Sequence, residues 1–538
     1  MRISVRTVAV VSAAVLLPLA FAVPAAAQIA AQTLMSKLQW RSVGPFVGGR
    51  VVAVAGVAGN TQLYYMGTVG GGVWTTDNAG LSWSNLTDKT RAMAPSVGAL
   101  AVAPSNPQIL YAGTGETDIR NDMLTGNGVF RSADGGKTWH YAGLGEAHST
   151  SALLVSPTNP NIVYAASMGH VFVPGPNRGV YKTSDGGKTW KKILFVDNKT
   201  GAIGLSMAPS QPDVLYAAMW QGQRLPYALK SGGPGSGIYK SSDGGAHWTN
   251  ISHNPGLPSG IWGRVGVTVA ASAPNVVYAI IQNKHGGVFR SNDGGQSWQR
   301  VYAGMSLRQR AFYYMQIYVD PTDPNTAYVP EVDGVWATRD GGRKWTVLHT
   351  PHGDNHIVWV NPRNPKILLE GNDGGATVSM DGGKTWSSER NQPTGEFYHV
   401  NLDDQFPFHI YGAQQDEGST EGPSAAVGGS IAAGDWHSVA YGESTWVVPQ
   451  PGDPNITYGS GYFSIFMRYN LKLGQYQDIS PWPNYKEGSA ANALKYRFGW
   501  THAITFSPVN PKRGGRAGAS GAPGPAERQA GGVAHMPR

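Results

Sequence analysis

The sequence predicts an all-β protein, a β-propeller of four-stranded blades. Three observations predict it. A turn signature, [ST]-x-[DN]-x-G-x-x-W, recurs seven times at spacings of 41–58 residues. Each copy closes a unit of apolar strand, Pro-containing turn, and a second strand rich in Tyr. The composition, with 72 Gly, 36 Pro and 14% charged residues, suits a turn-rich chain.

The signature appears as Thr76/Asn78/Gly80/Trp83, Ser132/Asp134/Gly136/Trp139 and Thr183/Asp185/Gly187/Trp190. It returns as Ser241/Asp243/Gly245/Trp248, Ser291/Asp293/Gly295/Trp298, Thr338/Asp340/Gly342/Trp345 and Ser379/Asp381/Gly383/Trp386. This is the Asp box, or BNR repeat. Its acid can accept bonds from backbone N–H groups of its own turn, and its Gly supplies positive φ. Its Trp is expected to fold back over the hairpin. Seven equivalent copies cannot all be active sites, so Asn78, Asp134, Asp185, Asp243, Asp293, Asp340 and Asp381 read as structural.

Four-stranded units of this length are propeller blades, with strands A to D in chain order. Strand A is expected near 51, 97, 150, 202, 264, 313 and 356. Two units without an Asp box follow near 397 and 445, and a tenth begins at Trp500. The pattern predicts a seven-bladed propeller over 28–396 and an incomplete second one over 397–512, with a single ten-bladed ring as the alternative. Pro508-Val-Asn-Pro511-Lys512 matches an A–B turn, yet no apolar strand follows. The stretch 513–538 is therefore expected to be a disordered tail, from a frameshift or truncation.

Residues 1–27 read as a signal peptide: Arg2 and Arg6, an apolar Thr7–Ala22, and Ala25-Ala26-Ala27 as the cleavage site. Export to the periplasm or beyond follows, with no transmembrane segment expected. There is no cysteine, so thiol redox chemistry and Cys-ligated metals are excluded. The formal charge of +8 falls to +3 once the leader and tail are set aside, which gives no case for nucleic acid.

In an up-and-down blade, A–B and C–D turns share one face, and B–C and D–A connections share the other. The Asp boxes are C–D turns. The unusual loops fall on the opposite face, where a ligand is expected. Glu116, Asp354, Asp373 and Asp416 are the candidate catalytic carboxylates there, since glycosidases use two, about 5–5.5 Å or 6.5–9.5 Å apart. Arg50, Arg120, His148, Arg264, Arg310 and Gln415 are the candidate ligand-binding residues. In extended chain, His352, Asp354 and His356 would point to one side and could hold a divalent metal.

The span from Trp40 to about Lys512 resembles exported bacterial BNR-repeat proteins labelled glycosyl hydrolases, themselves similar to the N-terminal propeller of sortilin-type receptors. Leu38–Pro45, Gly48-Gly49-Arg50, Gly113–Glu116, His352–His356, Gly371–Gly375 and Gln414-Gln415-Asp416 carry the resemblance. More distantly it resembles xyloglucanases. The resemblance to these implies a catalytic base in a Thr-Asp-x-Gly-Gly segment; the matching Thr68–Gly72 has Val69 in the acid's place. Three functions follow as expectations: binding of a glycan or peptide, glycoside hydrolysis by a carboxylate pair, or an assembly-factor scaffold.

Overall fold

The computed structural model describes residues 36, 38–120, 122–443, 446–462, 465–480, 500–507 and 514–516. The expected signal peptide, Asn121 and most of the expected tail lie outside them. The chain divides into two compact units, and Gly44–Arg538, the second, is described from here on.

The unit is built from consecutive antiparallel sheets joined by short connections. Nine follow one another, eight formed by strands adjacent in sequence and the fourth with a two-stranded ribbon inserted between its second and third strands, and a two-stranded pair ends the series. Two single 3₁₀ turns, Gly145–Ala147 and Ala433–Asp435, are the only helical elements among the described residues. The A strands of the first seven sheets are Val51–Gly56, Val97–Val102, Thr150–Val155, Gly201–Ala208, Val265–Val269, Tyr318–Val319 and Asn355–Val360. The next three are Phe397–Leu402, Val448–Gln450 and Ile504–Phe506. Val51–Gly56 is buried at every position, because a neighbouring sheet covers each of its faces.

The sixth A strand begins at Tyr318, not near 313. Tyr313 to Gln316 form an irregular stretch with Met315 at φ 92°, so this aromatic run is connection rather than strand. Gly514–Arg516 pairs with Ile504–Phe506, which corrects the expectation of a strandless tail at those three residues. Backbone pairing of this kind needs no apolar side chain.

Each Asp box is built on its hydroxyl as much as on its acid. Ser132 Oγ donates to Asp134 Oδ1 at 2.8 Å and accepts from Gly136 N at 2.8 Å. Asp134 also accepts from the backbone N and the hydroxyl of Thr138. The Thr138 bonds do most to hold its pKa down, at about 2. Gly136 turns the chain at φ 91°, which only Gly adopts without strain. Ser132→Ala leaves the buried Gly136 N–H without its acceptor. We expect a loss of about 1–3 kcal/mol in urea unfolding; an unchanged midpoint would refute this account of the turn.

The Trp of the box folds back on its own turn, as the sequence suggested: Trp298 Nε1 donates to Gly295 O at 3.1 Å and Trp345 Nε1 to Gly342 O at 2.9 Å. It also packs on the sheet before it. Trp139 of the second sheet joins Val73 and Leu110 between the first and second sheets. Trp298 of the fifth joins Tyr216 and Ile238 of the fourth. A Tyr of strand B returns the contact: Tyr164 OH donates to Gly244 O at 3.1 Å, and Tyr216 OH to Gly294 O at 3.0 Å. Each box is thus a latch between neighbouring sheets. Trp83 of the first sheet packs with Ile367, Leu369 and Val378 of the seventh, which makes the seventh sheet the neighbour of the first.

Candidate functional site

On the face opposite the Asp boxes lies a cavity of about 640 Å³. Every residue lining it comes from a B–C or D–A connection, or from the first turn of an A strand. Arg50 precedes the first A strand. Arg120 lies in the B–C loop of the second sheet. Arg310 and Tyr313 lead into the sixth sheet and Asp354 into the seventh. Asp373 sits between strands B and C of the seventh, and Gln415 and Asp416 hold the same place in the eighth.

Arg50 is the centre of the site. Its Nε and Nη2 grip Asp373 at 2.6 and 2.7 Å, and Nη2 also reaches Asp416 Oδ2 at 2.8 Å. Nη1 meets Glu396 Oε2 at 3.3 Å. One guanidinium, itself buried, therefore ties the first, seventh and eighth sheets together.

Behind Asp373 the charges alternate. His356 Nε2 lies 2.6 Å from Asp373 Oδ1, and its Nδ1 lies 3.2 Å from Asp118 Oδ2. Arg264 donates in turn to Asp118 at 3.0 Å. Burial alone would lower the His356 pKa, but the two carboxylates raise it to about 9, so the ring is a cation at neutral pH. Burial would raise Asp373, yet Arg50 and His356 hold it far below the usual carboxylate range. Asp373 is thus a fixed anion.

Oxygens of Asp354, Asp373 and Asp416 all lie within 4.8 Å of one another. Their environments differ. Asp416 is pushed up by burial and by Asp373, with only Arg50 opposing. Asp354 faces Arg310 at 3.1 Å and accepts the hydroxyl proton of Tyr314. Both residues have positive φ, 56° at Asp354 and 64° at Asp416, a conformation that concentrates at functional sites. A metal ion among these three acids would meet Arg50, whose guanidinium already supplies the positive charge they need.

Residues 127–263 and 286–423, just over half of the chain, match the family model described as Sortilin, neurotensin receptor 3 (Sortilin-Vps10). The chain belongs to the Sortilin-Vps10 family. This family member is also 27% identical over 347 residues to a xyloglucanase of Paenibacillus sp., covering 57% of this chain and 32% of that protein. It is 24% identical over 407 residues to a probable oligoxyloglucan-reducing end-specific xyloglucanase of Neosartorya fischeri, covering 66% and 47%. The chain thus spans about a third to a half of the length of these curated relatives. Among solved structures, the Niastella koreensis GH74 enzyme superposes with a TM-score of 0.54 at 16% identity, covering 88% of this chain and 76% of that one. That likeness bears on the fold, a propeller of four-stranded antiparallel sheets. Among the described residues, no helix is long and apolar enough to cross a membrane.

Of the residues singled out from the sequence of this Sortilin-Vps10 member, Arg50, Arg120, Arg310, Asp354, Asp373, Gln415 and Asp416 line the cavity. Four others do not. Glu116 is wholly buried and holds Arg120 through two bonds, so it positions that Arg and cannot reach a ligand. Burial pushes its pKa up to about 7 against Arg120. Arg264 is buried behind the site on Asp118. His148 lies in a separate small pocket against His170. His352 points away, with Nε2 3.8 Å from Glu417.

The expected His352–Asp354–His356 metal set is therefore not assembled. The strand begins only at Asn355, and the left-handed turn at Asp354 breaks the alternation that would align the three side chains. Among the described residues, no group of three ligands includes either His.

Sequence reasoning missed Asp118, Glu396, Glu443 and the aromatic wall of Tyr462 and Trp500, whose rings lie 4.3 Å apart. It also missed the ribbon Gly222–Leu225/Ala228–Ser231, which brings Arg224 to the cavity. Glu396 and Glu443 both lie in D–A connections. The face rule reached the B–C turn of the eighth sheet at Gln415 and Asp416, and would have found these two had it been carried to the D–A connections into the eighth and ninth sheets.

Proposed function

We propose that the protein is an exported propeller that binds a neutral glycan in this cavity. The reading rests on one observation: acids and arginines in the lining are matched, and an aromatic wall stands beside them. Arg50, Arg120 and Arg310 are each paired with carboxylates, so the charge of these three is already answered within the site. Tyr398, Tyr462 and Trp500 offer ring faces of the kind that stack on sugars. The xyloglucanase relatives favour a glycan over a peptide. We take the first seven sheets as one closed ring and those from 397 onward as part of a second, so that the cavity lies where the two meet.

Glycoside hydrolysis is the second reading. It is favoured by the unequal settings of two neighbouring carboxyls: burial and Asp373 push Asp416 up toward its neutral form, while Asp354 lies against the Arg310 guanidinium at 3.1 Å. That division is what an acid and a nucleophile require. One oxygen of each lies within 4.8 Å of one oxygen of the other, an approach that suits a nucleophile and an acid close together more than a pair spaced for a water between them. Val69, in the neighbouring cleft, has no proton to transfer, so chemistry would fall to this pair.

Calorimetric titration with neutral xyloglucan and β-glucan oligosaccharides, polygalacturonate fragments and a basic peptide tests the first reading. Binding of the neutral sugars alone is expected. Preference for the polyanion or the peptide would overturn it. Release of reducing ends from the bound sugar tests the second.

A further inference from the structure

A second cleft, of about 420 Å³, adjoins the central cavity. Arg120, Asp122 and Tyr398 line both, so the two spaces lie side by side. Its walls are the turn Val69–Gly71 between strands B and C of the first sheet, Leu124 of the second-sheet loop, and residues 393–397 leading into the eighth sheet. We propose that the ligand is an extended chain of linked sugars, running from the central cavity past Arg120 and Tyr398 into this cleft. The proposal rests on the glycan reading above and adds the form of the substrate.

The character of the wall supports a chain rather than a compact ligand. Much of it is backbone: Gly70, Gly71, Pro393 and Gly395. A Cβ built on Gly70 meets nothing within 4 Å, so the floor there is open. Such a surface offers backbone groups along its length. The cleft also suits a neutral chain. Arg120 is matched by Asp122 at 3.2 Å and by Glu396 at 3.3 Å. Glu396 is held by Arg50 as well as Arg120, so it is fixed in place. With Val69 where an acid could have stood, the cleft grips without reacting. The units bound there would orient the remainder of the chain across Asp354 and Asp416.

The same opening supplies the test. Gly70 has space around it and no positive φ, so Gly70→Trp can fill the cleft while leaving the sheet intact. Gly70→Ala serves as the control. Calorimetry would compare cellobiose with cellohexaose on the full chain. In the wild type and in Gly70→Ala, the longer sugar should bind at least about tenfold more tightly, a difference of about 1.4 kcal/mol. In Gly70→Trp that gain should vanish while cellobiose binding stays unchanged. Equal affinity for the two sugars in the wild type would overturn the extended-chain proposal and leave the glycan reading standing. So would a Trp variant that keeps the full gain. Failure of either sugar to bind would overturn both.

Discussion

Replacing Arg50 with Met should cost about 3–5 kcal/mol in urea unfolding, the largest stability loss expected of any single substitution at this site. The reason is what remains behind. Asp373 is buried and anionic, and it loses its bidentate partner. Asp416 and Glu396 lose the same guanidinium. Desolvated carboxylates then face each other, with His356 left on Asp373 and Arg120 on Glu396. Arg50→Lys should recover little, because an ammonium cannot form the two parallel bonds to Asp373. Arg50→Met combined with Asp373→Asn should recover a large part, since it removes the stranded charge with its partner. A single Arg50→Met variant within about 1 kcal/mol of wild type would show that the guanidinium does not carry the junction between these sheets.

Asp416→Asn should lower glycoside hydrolysis by about 10²–10⁴-fold while leaving oligosaccharide affinity nearly unchanged. The substitution keeps the shape and removes only the transferable proton. Burial and Asp373 raise the Asp416 pKa to about 9, so the wild-type rate should hold through neutral pH and fall above pH 9. His356 titrates in the same range, which requires a separate check. Its folded pKa lies above the ordinary His value, so its stabilising contribution is complete below about pH 6.5 and is lost as pH rises through about 9. Measuring the urea midpoint over pH 7–10 separates this loss from loss of the acid. Hydrolysis by Asp416→Asn within about fivefold of wild type would remove Asp416 from the role of acid.

The repeat made the fold legible, because each Asp box is a local event. Ser132, Asp134, Gly136 and Trp139 announce a turn wherever they stand, and their spacing counts out the sheets. The face rule was legible for the same reason. It rests on chain order alone, and it led to Arg50, Arg120, Arg310, Asp373 and Asp416. Partnerships were not legible. Arg50 and Asp373 are 323 positions apart, and nothing near either names the other. The His352–Asp354–His356 reading failed on one dihedral angle, since period-two reasoning holds only while the chain stays extended. The stretch Phe312–Met315 looked like strand because it is aromatic; its rings instead pack on His356, with Tyr313 5.1 Å from it. Glu396 and Glu443 stand in no recognisable motif, and the Arg50 that holds Glu396 is 346 positions away.

Fastening and recognition occupy opposite ends of the same sheets. The Trp and Tyr contacts that join neighbours lie with the C–D turns, and the cavity lies with the other connections. A loop at the cavity can therefore lengthen without any latch changing partner, as the Gly222–Ser231 ribbon already does. For protein engineering, this makes one face of the propeller a fixed chassis and the other a set of exchangeable loops.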